Sequence, residues 1–505
     1  MSAPRLPVRS SLTLASAIGA VALVAAQSAG PIPTHPRDLR FEPLTYTAPE
    51  PASARHVLSN GVVAYLVEDH DLPLVSVRIL MRGGDYLVPA DKAGLADAVG
   101  SLLRSAGTER LSPDDFDEEV EFLAANMSSS IGGTTGSASA DFLAKDIDAA
   151  LALFVEMLRA PRFQQDRLDL YRTEQLQRMR RRNDSSDSIE AREWLRLIRG
   201  DDHFTTRFQT QATVESLTRD DLLAYHERYV HPGNFILAVA GDFDTDAMVT
   251  KLEAAMAGWT GPAEPLPPVP EPQHRPVPGI YLVDKPDVNQ GRVSIGHLGI
   301  RFGNPDEIVV ALLNDILGGS GFTSRITNRV RSDEGLAYAA GSSFTAGVYY
   351  PGIFDVSFQS KSASVAQAIE IVLEEIDRIQ QEEVSTAELE TVRNYAVEIF
   401  PRFFSSASAI AGTFANDELV ERDPQYWMTY RGRVRSVQVA DIQRAAGAYI
   451  DPSKLVILIV GNIDEIMRGN PDLPEFSIET IARGRPITRI PLPDPMTMEY
   501  PAATQ

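Results

Sequence analysis

The chain contains no cysteine. That excludes disulfides, thiolate metal sites and anchoring through a lipidated N-terminal Cys. Histidine is scarce, with 8 in 505 residues, and the histidines form no ligand cluster along the sequence. Basic charge is also in deficit: 47 Lys and Arg face 69 Asp and Glu, for a formal net charge of −22. Non-specific nucleic-acid binding, which needs clustered Lys and Arg, is therefore excluded, and an acidic, solvated surface is expected. Beyond the N-terminus no apolar run approaches the ~18 residues of a membrane span, so no integral membrane segment is expected once a leader is removed.

What is present begins with that leader. Arg5 and Arg9 precede a small-residue apolar stretch from Leu12 to Ala26, and Val24-Ala25-Ala26 before Gln27 offers a cleavage site. Residues 1–26 therefore read as a secretory signal, and a disulfide-free exported chain of this size points to the periplasm or an otherwise exported location. The mature chain is too long for one core, so several domains are expected.

The sharpest boundary is Gly261–Gly279, which carries Pro262, Pro265, Pro267, Pro268, Pro270, Pro272, Pro276 and Pro278. Such a run favours an extended linker. It separates two parts of similar size, 50–260 and 280–470, and a Pro-rich tail follows over 471–505, expected to drape over the surface or extend from it. The two parts resemble each other. Tyr229-Val-His-Pro-Gly-Asn-Phe-Ile-Leu-Ala-Val-Ala-Gly-Asp-Phe-Asp244 parallels Tyr449-Ile-Asp-Pro-Ser-Lys-Leu-Val-Ile-Leu-Ile-Val-Gly-Asn-Ile-Asp464, and Tyr65-Leu-Val-Glu parallels Tyr281-Leu-Val-Asp. A domain-sized repeat of helix end, turn and buried strand reads as an α+β fold: two homologous α/β-sandwich domains in tandem. In the first part, strands are expected over 61–68 and 74–82 and helices over 92–106, 113–125, 147–158 and 167–182. One exposed Ser/Gly/Thr-rich strand is expected over 128–140.

The segment Ala93-Gly-Leu-Ala-Asp-Ala-Val-Gly-Ser-Leu-Leu-Arg-Ser-Ala-Gly-Thr108 resembles the zinc-binding helix of insulinase/pitrilysin-type metallopeptidases, in which Gly-Leu-Ala is followed by His-x-x-Glu-His and later by Gly-Thr. Here Asp97, Gly100 and Ser101 stand at the His, Glu and His positions. Zinc needs imidazole, thiolate or carboxylate ligands, and peptide hydrolysis there needs a general base. Gly100 and Ser101 supply neither. The family's further ligand Glu would fall near Arg178, where residues 175–183 hold no acid and Glu174 is the nearest carboxylate. The resemblance therefore implies a domain with no metal of its own.

A second block, Ser324-Arg-Ile-Thr-Asn-Arg-Val-Arg-Ser-Asp-Glu-Gly-Leu-Ala-Tyr338, resembles the family's C-terminal signature, in which an Arg and a Tyr seven residues apart reach the active site. Arg331 and Tyr338 match it. A guanidinium can hold a peptide carbonyl and a phenol can donate to an oxyanion; otherwise Tyr338 is a packed strand residue. Leu317-Gly-Gly-Ser-Gly-Phe322 reads as close packing or a hinge. His226-Glu-Arg-Tyr-Val-His231 has the wrong spacing for a metal, and Pro232 ends its helix. The 128–140 strand, through Ser129, Ser130, Gly132 and Gly133, either receives a peptide by β-augmentation or is an edge covered by a neighbour.

The resemblance implies a catalytically incomplete subunit, without cofactor in this chain, paired as a heterodimer with a homologous zinc-binding peptidase subunit and acting on peptide substrates. A non-enzymatic structural or peptide-binding scaffold of the same fold is the alternative. An active peptidase that uses Asp97 and Glu174 on another metal is a third reading, weakened by the lack of a visible general base.

Overall fold

Leu74–Arg82 alternates apolar and polar residues, whereas Phe235–Gly241 is apolar throughout, and the two patterns meet different burial in one sheet. The computed structural model describes residues 45–501 together with His35 and Leu39, so the expected signal lies outside the described residues. From Thr47 onward the chain is one compact unit. The first sheet comprises β1 (Arg55–Val57), β2 (Val63–Glu68), β3 (Leu74–Arg82), β4 (Asn126–Gly132), β5 (Thr135–Leu143) and β6 (Phe235–Gly241) in the order β1-β2-β6-β3-β5-β4. β2 and β6 run parallel, and the other pairs are antiparallel. The single strand expected over 128–140 is instead the β4–β5 hairpin. Gly133 at φ +54° makes the reversal, a conformation that costs glycine little.

The second half repeats this plan. Its strands are β7 (Gly279–Asp284), β8 (Gln290–Leu298), β9 (Ile300–Arg301), β10 (Ala337–Phe344), β11 (Ala346–Gly347), β12 (Ile353–Lys361), β13 (Val456–Gly461) and β14 (Ile487–Ile490). The main sheet is ordered β10-β12-β8-β13-β7-β14, with β9 and β11 forming a small pair of their own. β7 and β13 run parallel, as β2 and β6 do. The tandem α/β architecture read from the repeat is therefore present.

β6 and β13 are buried on both faces, as their unbroken apolar runs require. The covers are exchanged between halves. The helix Ser186–Arg199 lays Ile189, Trp194 and Ile198 against Val283, Val456, Leu458 and Val460 of the second sheet. The helix Ala407–Leu419 packs on β2 and β6 of the first sheet, with the Phe414 ring 5.8 Å from that of Tyr65 and Glu418 accepting 2.8 Å from the Tyr65 hydroxyl. Each half thus completes the other's core.

The Pro-rich linker carries no helix or strand between Pro262 and Pro278. It is nonetheless pinned: His274 Nε2 donates to the Leu197 carbonyl and His203 Nε2 to the Pro270 carbonyl, both at 3.1 Å. The tail is more than a surface drape. It supplies β14, which pairs in parallel with β7, and then returns to the first half. There Asn183 Nδ2 donates 2.8 Å to the Pro493 carbonyl and the Tyr500 hydroxyl donates 2.8 Å to Glu193. Among the described residues no helix is long and apolar enough to cross a membrane.

Candidate functional site

The helix Leu95–Ser105 buries Leu95, Ala98, Val99, Leu102 and Leu103 and leaves Asp97 and Ser101 on its exposed face, as its periodicity requires. Asp97 is committed to neighbours on the helix Gln165–Arg180. Its Oδ2 accepts from the Tyr171 hydroxyl at 2.6 Å and from Gln175 Nε2 at 3.2 Å. Burial, and then the Asp97 charge, push the Tyr171 hydroxyl far above its usual range, so it stays a donor.

The residue that meets Asp97 is therefore Gln175, an amide. Neither Glu174 nor Arg178 fills that place: Glu174 faces solvent, and Arg178 Nε donates to Gln175 Oε1 at 3.3 Å. The helical period carried the signal. Leu168, Tyr171, Gln175 and Met179 form the buried row of that helix, which turns Glu174 outward.

Gly100 does more than lack a side chain. A Cβ there would stand 2.2 Å from the backbone nitrogen of Ile131 and 2.7 Å from the Ser130 carbonyl carbon. The β4 backbone occupies the space that a glutamate would need, and Ser129 Oγ locks the approach by donating 2.7 Å to the Gly100 carbonyl. Ser101 is exposed, and its carbonyl accepts from Ser105 Oγ. Among the described residues no group of three or more His, Cys, Asp or Glu could hold a metal ion. The residues present do not fit zinc.

His226 and His231 serve the helix-to-strand junction. His226 Nε2 donates to the Leu158 carbonyl at 2.7 Å, and His231 Nε2 lies 3.2 Å from Asn234 Nδ2. Burial lowers the pKa of both rings.

β4 is an edge strand of its sheet. Ser130 is exposed, with its Oγ 3.3 Å from that of Ser137, and Ser129 is tied to Gly100. Gly132 and Gly133 lie at the hairpin turn, where the Gly133 amide donates 2.6 Å to Asp85 Oδ2. Burial raises the Asp85 pKa. Beside this turn opens a cavity of about 710 Å³ that includes Asp85, Asp97, Gly133 and Gln175.

Arg331 and Tyr338 are brought together elsewhere. The short helix Arg325–Thr327 continues as one wide turn through Asp333, and Gly335 at φ +64° releases the chain into β10. Several side-chain bonds hold this block in place, Arg329 pairing with Glu374 and Glu375 among them. Arg325 Nε donates 2.6 Å to Glu388, and Thr327 Oγ1 donates 2.7 Å to the Ala340 carbonyl. The β10–β12 register shifts between Ala337 and Ala340, so Tyr338 sits in a β-bulge, a device that re-aims side chains. Its side chain is not packed: Tyr338 is 84% exposed. The Arg331 guanidinium lies between two rings, 4.8 Å from the Tyr338 centroid and 4.4 Å from that of Phe322, itself 63% exposed. Phe322, at the end of the Gly-rich loop, is a member of this cluster that the sequence reading left unassigned. The loop's close-packing reading fits Gly318, where a Cβ would meet the Ser342 nitrogen at 2.6 Å. The cavity beside Asp97 includes none of Phe322, Arg331 or Tyr338.

Comparison with known proteins returns this fold. Residues 216–395, which contain the Arg331/Tyr338 block, match the family described as peptidase M16 inactive domain. The chain is 22% identical over 408 residues to the "Non-peptidase homolog YmxG" of Helicobacter pylori, covering 78% of this chain and 90% of that protein. It is 20% identical over 476 residues to a probable mitochondrial-processing peptidase subunit beta of Arabidopsis thaliana, covering 88% of this chain and 86% of that one. Among solved structures, a peptidase M16 inactive domain from Pseudomonas fluorescens superposes with a TM-score of 0.73 at 21% identity, over 81% of this chain and 97% of that one.

Proposed function

We propose that this member of the insulinase/pitrilysin (M16) peptidase family, a homologue of zinc peptidases without a metal site of its own, completes the active site of a homologous zinc-binding subunit. In this reading Arg331 holds the peptide backbone of the substrate and Tyr338 donates to the oxyanion that forms during hydrolysis. The partner's zinc would supply the polarised water. The observation that carries the reading is the Phe322–Arg331–Tyr338 cluster: the bulge turns the Tyr338 phenol to solvent, where packing does not use it, and the half-buried Arg331 guanidinium lies against its ring. The test is kinetic. The chain is co-expressed with a chain bearing His-x-x-Glu-His, and Tyr338→Phe and Arg331→Ala are compared with wild type.

A consequence concerns metal. Purified alone and saturated with zinc, the chain should retain far less than one zinc per molecule by elemental analysis, because Gln175, Gly100 and Ser101 offer no ligand set with Asp97. A tightly held stoichiometric zinc would overturn this.

The reading also places the mature chain outside the cytoplasm, on the strength of Arg5, Arg9 and the apolar stretch to Ala26. N-terminal sequencing of exported material should start near Gln27; an intact Met1 on cytoplasmic protein would refute export. The scaffold alternative draws on the likeness to a protein named as a non-peptidase homolog. It predicts assembly with a partner but wild-type rates for both variants.

A further inference from the structure

The cavity beside Asp97 has a charge pattern unlike that of a metal site. Three arginines line it: Arg178 from the Gln165–Arg180 helix, Arg182 just beyond that helix, and Arg207 after the turn Phe204–Thr206. In a chain with 69 acidic against 47 basic residues, arginines have carboxylates to spare, yet these three make their hydrogen bonds to neutral groups among the described residues. Arg178 bonds Gln175 Oε1, Arg182 Nη1 bonds the carbonyls of Gln209 and Pro495, and Arg207 Nη1 reaches the Val88 carbonyl at 3.5 Å. The two nearby acids are engaged elsewhere. Asp97 accepts from Tyr171 and Gln175, and Asp85 accepts from the Gly133 amide. Burial, and then the charge of Arg192, push Arg182 down to about 10, the direction expected of a cation with no compensating anion.

The rest of the wall is mixed, with Met179, Phe204 and Phe208 beside the arginines and the neutral polar Gln175, Thr205 and Gln209 between them. Phe204 packs edge-on to Tyr350 of the second half, with centroids 6.2 Å apart, so the second half braces this side of the wall. A cavity of about 710 Å³ lies within the ~300–1,000 Å³ range of small-ligand sites. Its chemistry matches a carboxylate attached to an apolar group. Guanidinium forks pair with carboxylates in bidentate geometry, and the rings take the adjoining side chain.

We propose that this cavity, at the position where related peptidases gather metal ligands, is a carboxylate-binding pocket for peptides, with Arg178, Arg182 and Arg207 receiving either a free C-terminus or an acidic side chain. The proposal is independent of assistance to a partner's zinc, because it concerns this chain's own cavity and needs no second subunit.

The experiment uses the full chain and three dansylated peptides: Gly-Leu-Phe with a free C-terminus, Gly-Leu-Phe amide, and Gly-Asp-Phe amide. Binding is read by fluorescence anisotropy. At least one carboxylate-bearing peptide should bind about tenfold or more tightly than Gly-Leu-Phe amide, the scale of one charge-assisted hydrogen bond. Preference for the free acid identifies a C-terminal ligand, and preference for Gly-Asp-Phe amide an acidic side chain; either supports the pocket. Arg178→Gln with Arg207→Gln should abolish the preference while leaving Tm unchanged. Should that pair unfold the chain, Arg207→Gln alone, which gives up only one long contact, should still weaken the carboxylate peptide severalfold. Equal binding of all three peptides, no binding at all, or wild-type affinity in a folded variant lacking these arginines would overturn the proposal.

Discussion

In a complex whose zinc lies on the partner subunit, Tyr338→Phe should lower kcat by about 10²-fold, the usual scale for losing one oxyanion donor. Phe keeps the ring, and therefore the face that the Arg331 guanidinium stacks on at 4.8 Å, but removes the hydroxyl. A packed tyrosine would lose little by this change. Tyr338, however, is 84% exposed at a bulge, so stability should hardly move. Arg331→Ala should raise KM, because it loosens substrate in the ground state and the transition state alike, and should lower kcat through its effect on Tyr338. It also removes the cation between Phe322 and Tyr338, so part of its effect will be mispositioning of the phenol. Size-exclusion chromatography must show that both variants still assemble. Wild-type kinetics for assembled Tyr338→Phe would remove the catalytic assistance and leave the scaffold reading ahead.

Gly100→Glu, which installs the glutamate of the motif this helix resembles, should yield no hydrolysis and should destabilise the chain by about 3 kcal/mol, the upper end of overpacking costs. An ordinary helix would gain up to ~1 kcal/mol from replacing glycine. Here the first added carbon already meets the Ile131 nitrogen at 2.2 Å, so β4 has to move, and the Ser129 bond to the Gly100 carbonyl is lost with it. Even Gly100→Ala should therefore lower the denaturation midpoint. A Gly100→Glu chain as stable as wild type would mean that β4 can withdraw, and that this position remains open to a catalytic side chain.

The altered metal position shows how far composition and spacing reach. That positions 100 and 101 offer neither ligand nor base was readable from residue identity alone, since Gly and Ser have no group suited to either task. That β4 fills the vacated space was not, because it depends on which strand the helix meets. Counting along the chain led to Arg178 and Glu174, whereas the period of the buried row led to Gln175. Distance in sequence tolerates slips of a few residues; the side of a helix does not. At the second block, the seven-residue spacing brought out Arg331 and Tyr338. Their shared partner Phe322 comes from a loop whose contact depends on how that loop packs.

The sequence by itself determined the tandem α/β plan, because apolar periodicity and the repeated Tyr…Pro…Gly strand ends encode local structure directly. It also determined the absence of thiolate metal chemistry, because the chain has no cysteine. Tertiary structure alone decided what covers β6 and β13. Their continuous apolar runs demand two buried faces but do not say which helix supplies the second, and it comes from the opposite half in both cases. Tertiary structure also decided that the tail completes the second sheet as β14, since a four-residue strand in a Pro-rich segment becomes a strand only when β7 offers its open edge. It decided as well that Arg207 joins Arg178 and Arg182 in one cavity, because a residue some way along the chain reaches them only once the chain is folded.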